Sequence, residues 1–93
     1  DKIEIELSSL TELETLDLSE SDIIMLDNFS IPEIEIATQL CKSRRLQAQI
    51  EVSGNITLDT ISNYRHLAID RISVGRLTHS VQALDLSMLI CYT

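Results

Sequence analysis

Tryptophan is absent from this 93-residue chain, and one Phe and two Tyr complete its aromatic content. The core must therefore be built from Ile, Leu, Val and Ala, the usual filling of a strand-and-helix fold. Cations are scarce too. Seven Lys and Arg face fifteen Asp and Glu, for a formal net charge of -8, which argues against non-specific nucleic-acid binding and against docking on an anionic membrane. An anionic ligand would need a local site, and residues 1–40 contain one base, Lys2, while Lys42, Arg44, Arg45, Arg65, Arg71 and Arg76 all follow. The two cysteines, Cys41 and Cys91, form no CxxC and no Cys/His cluster, so neither zinc nor a disulfide framework is signalled and reduced thiols in a cytoplasmic protein are expected. No apolar run approaches the roughly 18 residues of a membrane-spanning helix, and no signal-peptide pattern is present. There is also no GxSxG, Walker or GxGxxG motif. The first residue is Asp, not Met, as expected of a fragment or processed piece, and the length suits one domain.

What is present is an alternation of strand and helix patterns. Lys2 to Leu7 alternates with period two, with Ile3, Ile5 and Leu7 on one face and Glu4 and Glu6 on the other. Ser9 and Glu12 have capping-box spacing and open a short helix through Leu10, Leu13, Leu16 and Leu18, up to Ser19-Glu20-Ser21. Asp22 to Leu26 reads as a strand buried on both faces and ends in Asp27-Asn28. Ser30, Pro32 and Glu33 then start a helix that runs to about Cys41. Gln47 to Val52 is the third strand, with Ile50 and Val52 inward; Thr57 to Asp59 can cap a third helix ending near His66. Asp70 to Val74 is the fourth strand, and His79 to Leu84 suits a short helix, with an apolar stretch from Leu84 to Ile90. Strand starts near residues 3, 22, 48 and 71 predict successive βα units in a parallel sheet, four units of a parallel (β/α) barrel.

In such a sheet ligands bind at the carboxyl ends of the strands. The polar residues expected there are Glu6, Asp27, Glu51, Ser53-Gly54-Asn55, Gly75, Thr78 and His79. The chain has two glycines, and each follows a strand pattern. A glycine there lets the backbone approach a phosphate closely, and neighbouring hydroxyls and N–H groups can donate to its oxygens. Carboxylates across the same rim suit a hydroxylated or metal-bound middle of the ligand. The plain alternatives are a simple turn at each glycine, a solvated edge-strand face for Glu4 and Glu6, and a surface role for His79 and His66.

Lys2 to Leu7, Asp22 to Phe29, Glu51 to Thr57, Ile72 to Gly75, Leu77 to Ser80 and Ala83 to Ser87 together resemble, in order, the C-terminal part of quinolinate phosphoribosyltransferases, the carboxylating nicotinate-nucleotide pyrophosphorylases. The resemblance implies the C-terminal part of a barrel domain over residues 1–93, with an N-terminal domain and the first barrel strands lying outside them. It implies phosphoribosyl transfer from phosphoribosyl pyrophosphate to quinolinate with decarboxylation, giving nicotinate mononucleotide for NAD biosynthesis, with Mg²⁺ and in a dimer or hexamer. Carried over by position, Glu6 and Asp27 match the acidic pair facing the ribose hydroxyls and, indirectly, the metal. Ser53, Gly54, Asn55, Gly75 and His79 match the loops holding the 5′-phosphate. Two positions depart from the family pattern: Arg76 replaces a small residue, and Leu67-Ala68-Ile69 stands where a helix usually ends in glycine. The family's upstream Arg, His and Lys groups have no counterpart cluster, so the segment alone is expected to be inactive. The alternative is a noncatalytic half-barrel that self-associates and at most binds phosphate.

Overall fold

The computed structural model describes residues 2–54, 56–78 and 80–85. A five-stranded sheet runs in the order β1 (Glu4–Leu7), β2 (Ile23–Asp27), β3 (Gln49–Ser53), β4 (Arg71–Thr78) and β5 (Ser80–Asp85). The first three pairings are parallel and the last is antiparallel. Helices α1 (Leu10–Thr15) and α2 (Ile31–Ser43) connect the first three strands. This is the architecture of part of a parallel α/β barrel, as the spacing of strand patterns predicts.

Strand alternation sorts the sheet into two unlike faces. Leu7, Ile24, Leu26, Ile50, Val52, Ile72 and Val74 point to the helix side and are buried with Leu13, Ile34, Ala37 and Cys41. The opposite face carries Glu4, Glu6, Ile23, Met25, Asp27, Gln49, Glu51, Ser53, Arg71 and Ser73. Removing the first set from water drives the layering, and the second set is left for chemistry.

Local chemistry fixes the elements at both ends. In α2, Ser30 and Glu33 make a complete capping box: Ser30 N–H donates to Glu33 Oε1 at 2.9 Å and Glu33 N–H to Ser30 Oγ at 3.3 Å. At its other end Leu46 N–H donates to the Cys41 carbonyl and Arg45 N–H to that of Lys42, with Arg45 itself left-handed at φ 57°. That is a Schellman ending with arginine in the usual glycine place. Helix α1 is shorter than its leucine pattern, ending at Thr15 although Leu18 is buried. Its Glu12 carboxylate reaches Ser8, taking both N–H and Oγ at 2.8 Å. At the amino ends of the strands two aspartates join neighbours: Asp22 Oδ2 accepts from Ile3 N–H at 2.7 Å and Asp70 Oδ2 from Ile50 N–H at 2.8 Å.

The second half departs from the sequence pattern. The expected third helix is a single 3-10 turn, Ile61–Tyr64. Thr60 Oγ1 is taken up by Thr57 N–H at 3.1 Å, and Thr60, Ser62 and Asn63 are residues whose side chains compete with the helical backbone. The fourth strand does not stop at Val74; it continues through Gly75 to Thr78. The short helix expected over His79 to Leu84 is instead strand β5, paired with β4 from Arg71↔Asp85 to Thr78↔Ser80. A six-residue helix nucleates poorly, whereas a strand there satisfies the edge of β4. The apolar stretch toward Ile90 lies mostly outside the described residues.

Candidate functional site

The carboxyl ends of β2 and β3 meet in register, with Asp27 directly opposite Ser53. Three contacts join them. Ser53 Oγ donates to Asp27 Oδ1 at 3.1 Å, Asn28 N–H donates to the Ser53 carbonyl at 2.9 Å, and Gly54 lies against Asn28. A Cβ on Gly54 would stand 3.1 Å from Asn28 Cα and 3.3 Å from Asn28 N. Gly54 has φ +133° and Asn28 φ +62°, so both residues turning the chain off the sheet adopt conformations that favour Gly and Asn. The two loops thus leave the strands as one unit.

Glu6 is exposed on edge strand β1 and pairs in register with Met25. It shares a face with Asp27, two residues further along the neighbouring strand, which sets their Cα atoms about 8 Å apart from strand spacing and rise. Asp27 is half-buried, and among the described residues its Oδ2 accepts no hydrogen bond. Gly75 lies inside β4 and not in a turn after it, within the stretch from Val74 to Thr78 where the register with β5 shifts. A glycine within a strand commonly marks such an irregularity. Asn55 and His79 lie outside the described residues. The structure therefore brings Glu6, Asp27, Ser53 and Gly54 to one end of one sheet face.

Glu51, expected from the sequence at the ligand rim, stands on that face against a residue given no role there, Arg71. Glu51 is only 4% exposed, and Arg71, directly opposite in the β3–β4 register, places Nε 3.7 Å from Glu51 Oε1. The row Glu6, Met25, Glu51, Arg71 crosses four strands. Its only sequence signal is a Glu set between two inward apolar residues, Ile50 and Val52. Burial pushes the Glu51 carboxyl up, Arg71 pulls it partly back, and Glu4 adds to the rise. An acid raised in the folded state stabilises the fold below its ordinary value near 4.5 and loses that contribution as pH rises through the raised value. Glu51→Gln should therefore be more stable than the native chain at pH 7, with the difference shrinking as pH falls toward 4. Urea midpoints across that range check this, and parallel pH profiles would refute it. Another cation of the second half, Arg44, donates to the Leu13 carbonyl at 2.8 Å and the Leu16 carbonyl at 3.1 Å, tying α2 to the end of α1 on the helix side.

A parallel α/β sheet backed by helices on one face, with carboxylates and a glycine turn at the carboxyl ends of its strands, defines a barrel-type α/β module whose ligand end is the strand rim. The family model described as quinolinate phosphoribosyl transferase, C-terminal domain, matches residues 1–89, and the chain belongs to that family. It is 44% identical over 91 residues to a probable carboxylating nicotinate-nucleotide pyrophosphorylase of Methanocaldococcus jannaschii, covering 94% of this chain and 32% of that protein. It is 37% identical over 87 residues to the nicotinate-nucleotide pyrophosphorylase [carboxylating] of Homo sapiens, covering 94% and 29%. Among solved structures, NadC from Streptococcus pyogenes superposes with a TM-score of 0.73 at 46% identity, over 91% of this chain and 29% of that one. The chain thus spans about a third of the length of the relatives it matches. Among the described residues no helix is long and apolar enough to cross a membrane.

Proposed function

We propose that this chain is the ribose- and phosphate-binding part of a quinolinate phosphoribosyltransferase in the cytoplasm. The reaction moves the phosphoribosyl group of phosphoribosyl pyrophosphate to the quinolinate nitrogen, releasing pyrophosphate and carbon dioxide and leaving nicotinate mononucleotide. The observation that carries the reading is the joined rim of Asp27, Ser53 and Gly54, a carboxylate and a glycine turn held side by side at the carboxyl ends of parallel strands.

In this reading Asp27 and Glu6 accept hydrogen bonds from the ribose hydroxyls and favour positive charge developing at the anomeric carbon. Main-chain N–H groups around Gly54 and Gly75, with Asn55 and His79, hold the 5′-phosphate. Two carboxylates on one face, with Asp27 Oδ2 unengaged among the described residues, fit Mg²⁺, which typically takes one or two carboxylates and completes its shell with water and substrate phosphates. The described residues hold no cluster of three His, Cys, Asp or Glu that would cage a metal alone. When bound with the substrate, Mg²⁺ would supply charge neutralisation at the pyrophosphate. The quinolinate carboxylates call for cations, and the described strand residues of this face offer one guanidinium, Arg71, beside four carboxylates. Quinolinate capture is therefore assigned to groups outside these residues, in a longer chain or a dimer or hexamer.

Calorimetric titration of the chain with phosphoribosyl pyrophosphate and nicotinate mononucleotide, in excess magnesium, tests the site. Binding is expected without turnover of quinolinate. Gly75→Val should weaken it about tenfold, the scale of losing one charge-assisted hydrogen bond at the backbone. Unchanged affinity would remove Gly75 from the site, and no binding of either ligand by the native chain would sink the reading. A noncatalytic, self-associating module is the second reading. It draws on β1, which lies at the sheet edge with its outer side unpaired among the described residues. A dimer in sedimentation that binds neither ligand would favour it.

A further inference from the structure

We infer that Glu51 and Arg71 are a positioning pair: by tying β3 to β4 across the open face of the sheet, they set the spacing at the rim between the Gly54 turn and the Gly75 stretch. Neither side chain touches the ligand in this role. The inference rests on the phosphoribosyl reading above, in which both glycine segments hold one phosphate, and it adds two residues to which that reading gives no part in phosphate binding.

The sheet divides along one line. β3 runs in register with β2 up to its last residue, Asp27↔Ser53, and β4 runs in register with β5 from Arg71↔Asp85 to Val74↔Gln82. Between β3 and β4 the ladder holds Glu51↔Arg71 and Val52↔Ile72, and among the described residues it ends there, short of Ser53 and Ser73. The Gly54 turn therefore belongs to one block, β1 to β3, and the Gly75 stretch to another, β4 and β5. How far apart they stand is decided lower down, at the seam.

The seam is held on three sides. At its amino end Ile50 N–H donates to Asp70 Oδ2 at 2.8 Å and Asp70 N–H donates to the Ile50 carbonyl at 2.8 Å. On the helix side Val52 and Ile72 are buried in the core. On the open face the tie is Glu51 with Arg71, Oε1 to Nε at 3.7 Å. Gly54 follows Glu51 by three residues and Gly75 follows Arg71 by four, about 10 and 13 Å along their strands at about 3.3 Å per residue. A tilt between the blocks at the seam is enlarged over that length. As a device for stability the pair is poor. Glu51 is 4% exposed and accepts no hydrogen bond among the described residues, and a loose ion pair taken out of water recovers little of its desolvation cost. A feature that weakens the fold while fixing the relation of two ligand loops is better explained by function than by stability.

The chain's two glycines supply the test. With glycine as the only isotopically labelled amino acid, the amide spectrum contains Gly54 and Gly75 alone, one reporter on each side of the gap. Inorganic phosphate is titrated into the native chain, Glu51→Gln and Glu51→Leu. In the native chain it should shift both resonances with one affinity. Glu51→Gln, whose amide oxygen can still accept from Arg71, should shift both and bind within about twofold of native, a neutral hydrogen bond standing in for the ion pair. Glu51→Leu breaks the tie and leaves Arg71, whose side chain is 41% exposed, to water. It should bind about fivefold more weakly, the order of coupling carried by packed networks, and its Gly75 shift should shrink relative to that of Gly54. Charge alone predicts the opposite, since Gln and Leu each remove a negative group and would both tighten binding. Native or tighter binding by Glu51→Leu, or a Gln variant that loses as much as Leu, overturns the inference and leaves the phosphoribosyl reading standing. So does a native chain in which phosphate shifts one glycine only. If Glu51→Leu is less stable than the native chain in urea, Arg71→Ala decides: a ratio of the two glycine shifts equal to the native ratio overturns the inference, and a diminished Gly75 share upholds it. A native chain in which phosphate shifts neither glycine removes both the inference and the reading beneath it.

Discussion

Gly54→Val should cost about 3 kcal/mol of folding stability and abolish phosphate binding, the combination expected when a side chain is forced into a left-handed position against immovable neighbours. The atoms that a Cβ would meet are Asn28 Cα at 3.1 Å, Asn28 Oδ1 at 3.2 Å and Asn28 N at 3.3 Å. Two of the three are backbone, so no rotamer change relieves them. Asn28 cannot simply retreat, because its N–H is committed to the Ser53 carbonyl. Relief requires the turn after β3 to leave the turn after β2, which dismantles the joined rim. Gly54→Ala should show the same direction with a smaller loss. Urea denaturation gives the stability change and titration with inorganic phosphate gives the binding. A valine variant with native stability would show that the rim tolerates separation.

Leu26→Ala is the second large effect, expected at about 3 kcal/mol from lost burial and the cavity left behind. Leu26 is 1% exposed in β2 and packs into the helix-side core with Leu7, Ile24 and Val52. A domain of this size has about 5–14 kcal/mol of stability in all, so one methyl-rich side chain carries a large share. Its position adds a functional consequence, since the next residue is Asp27 and the strand that loses its anchor is the one that aims the carboxylate. Ile36→Ala, at a site 50% exposed on α2, should stay within about 0.5 kcal/mol. Chemical denaturation of the pair checks both, and similar losses at the two positions would contradict the placement of the core.

The sheet's two faces were legible wherever a local pattern repeats. Alternation in Lys2 to Leu7 and the inward pair Ile50 and Val52 appear as strands with those faces, whereas the apolar run closing on Asp27 is a strand buried on one face only, with Ile24 and Leu26 in the core and Ile23 and Met25 half-buried on the acidic side, because helices cover one face of the sheet. The Ser30–Glu33 spacing appears as a full capping box. These features depend on residues within a few positions of one another, where side-chain period and hydrogen-bond reach are set by the backbone alone. Val81 to Leu84 shows the opposite case. A short apolar segment is compatible with helix or strand, and the choice went to strand because the unpaired side of β4 was available. The third helix failed likewise, because Ile61, Leu67 and Ile69 could be buried from a 3-10 turn without a regular helix.

The sequence by itself determined the parallel α/β class, the apolar layer under the sheet, the acidic residue Glu6 on the other face, Asp27 at the carboxyl end of β2, and the glycine that follows β3. All follow from periodicity, composition and the conformational freedom of one residue type. Only the tertiary structure decided who stands beside whom. Asp27 opposite Ser53, Glu51 opposite Arg71 and Gly54 against Asn28 join residues about 20 to 26 positions apart. Such neighbours are set by strand register, which a whole sheet and its buried face select together and which no single stretch of the chain contains.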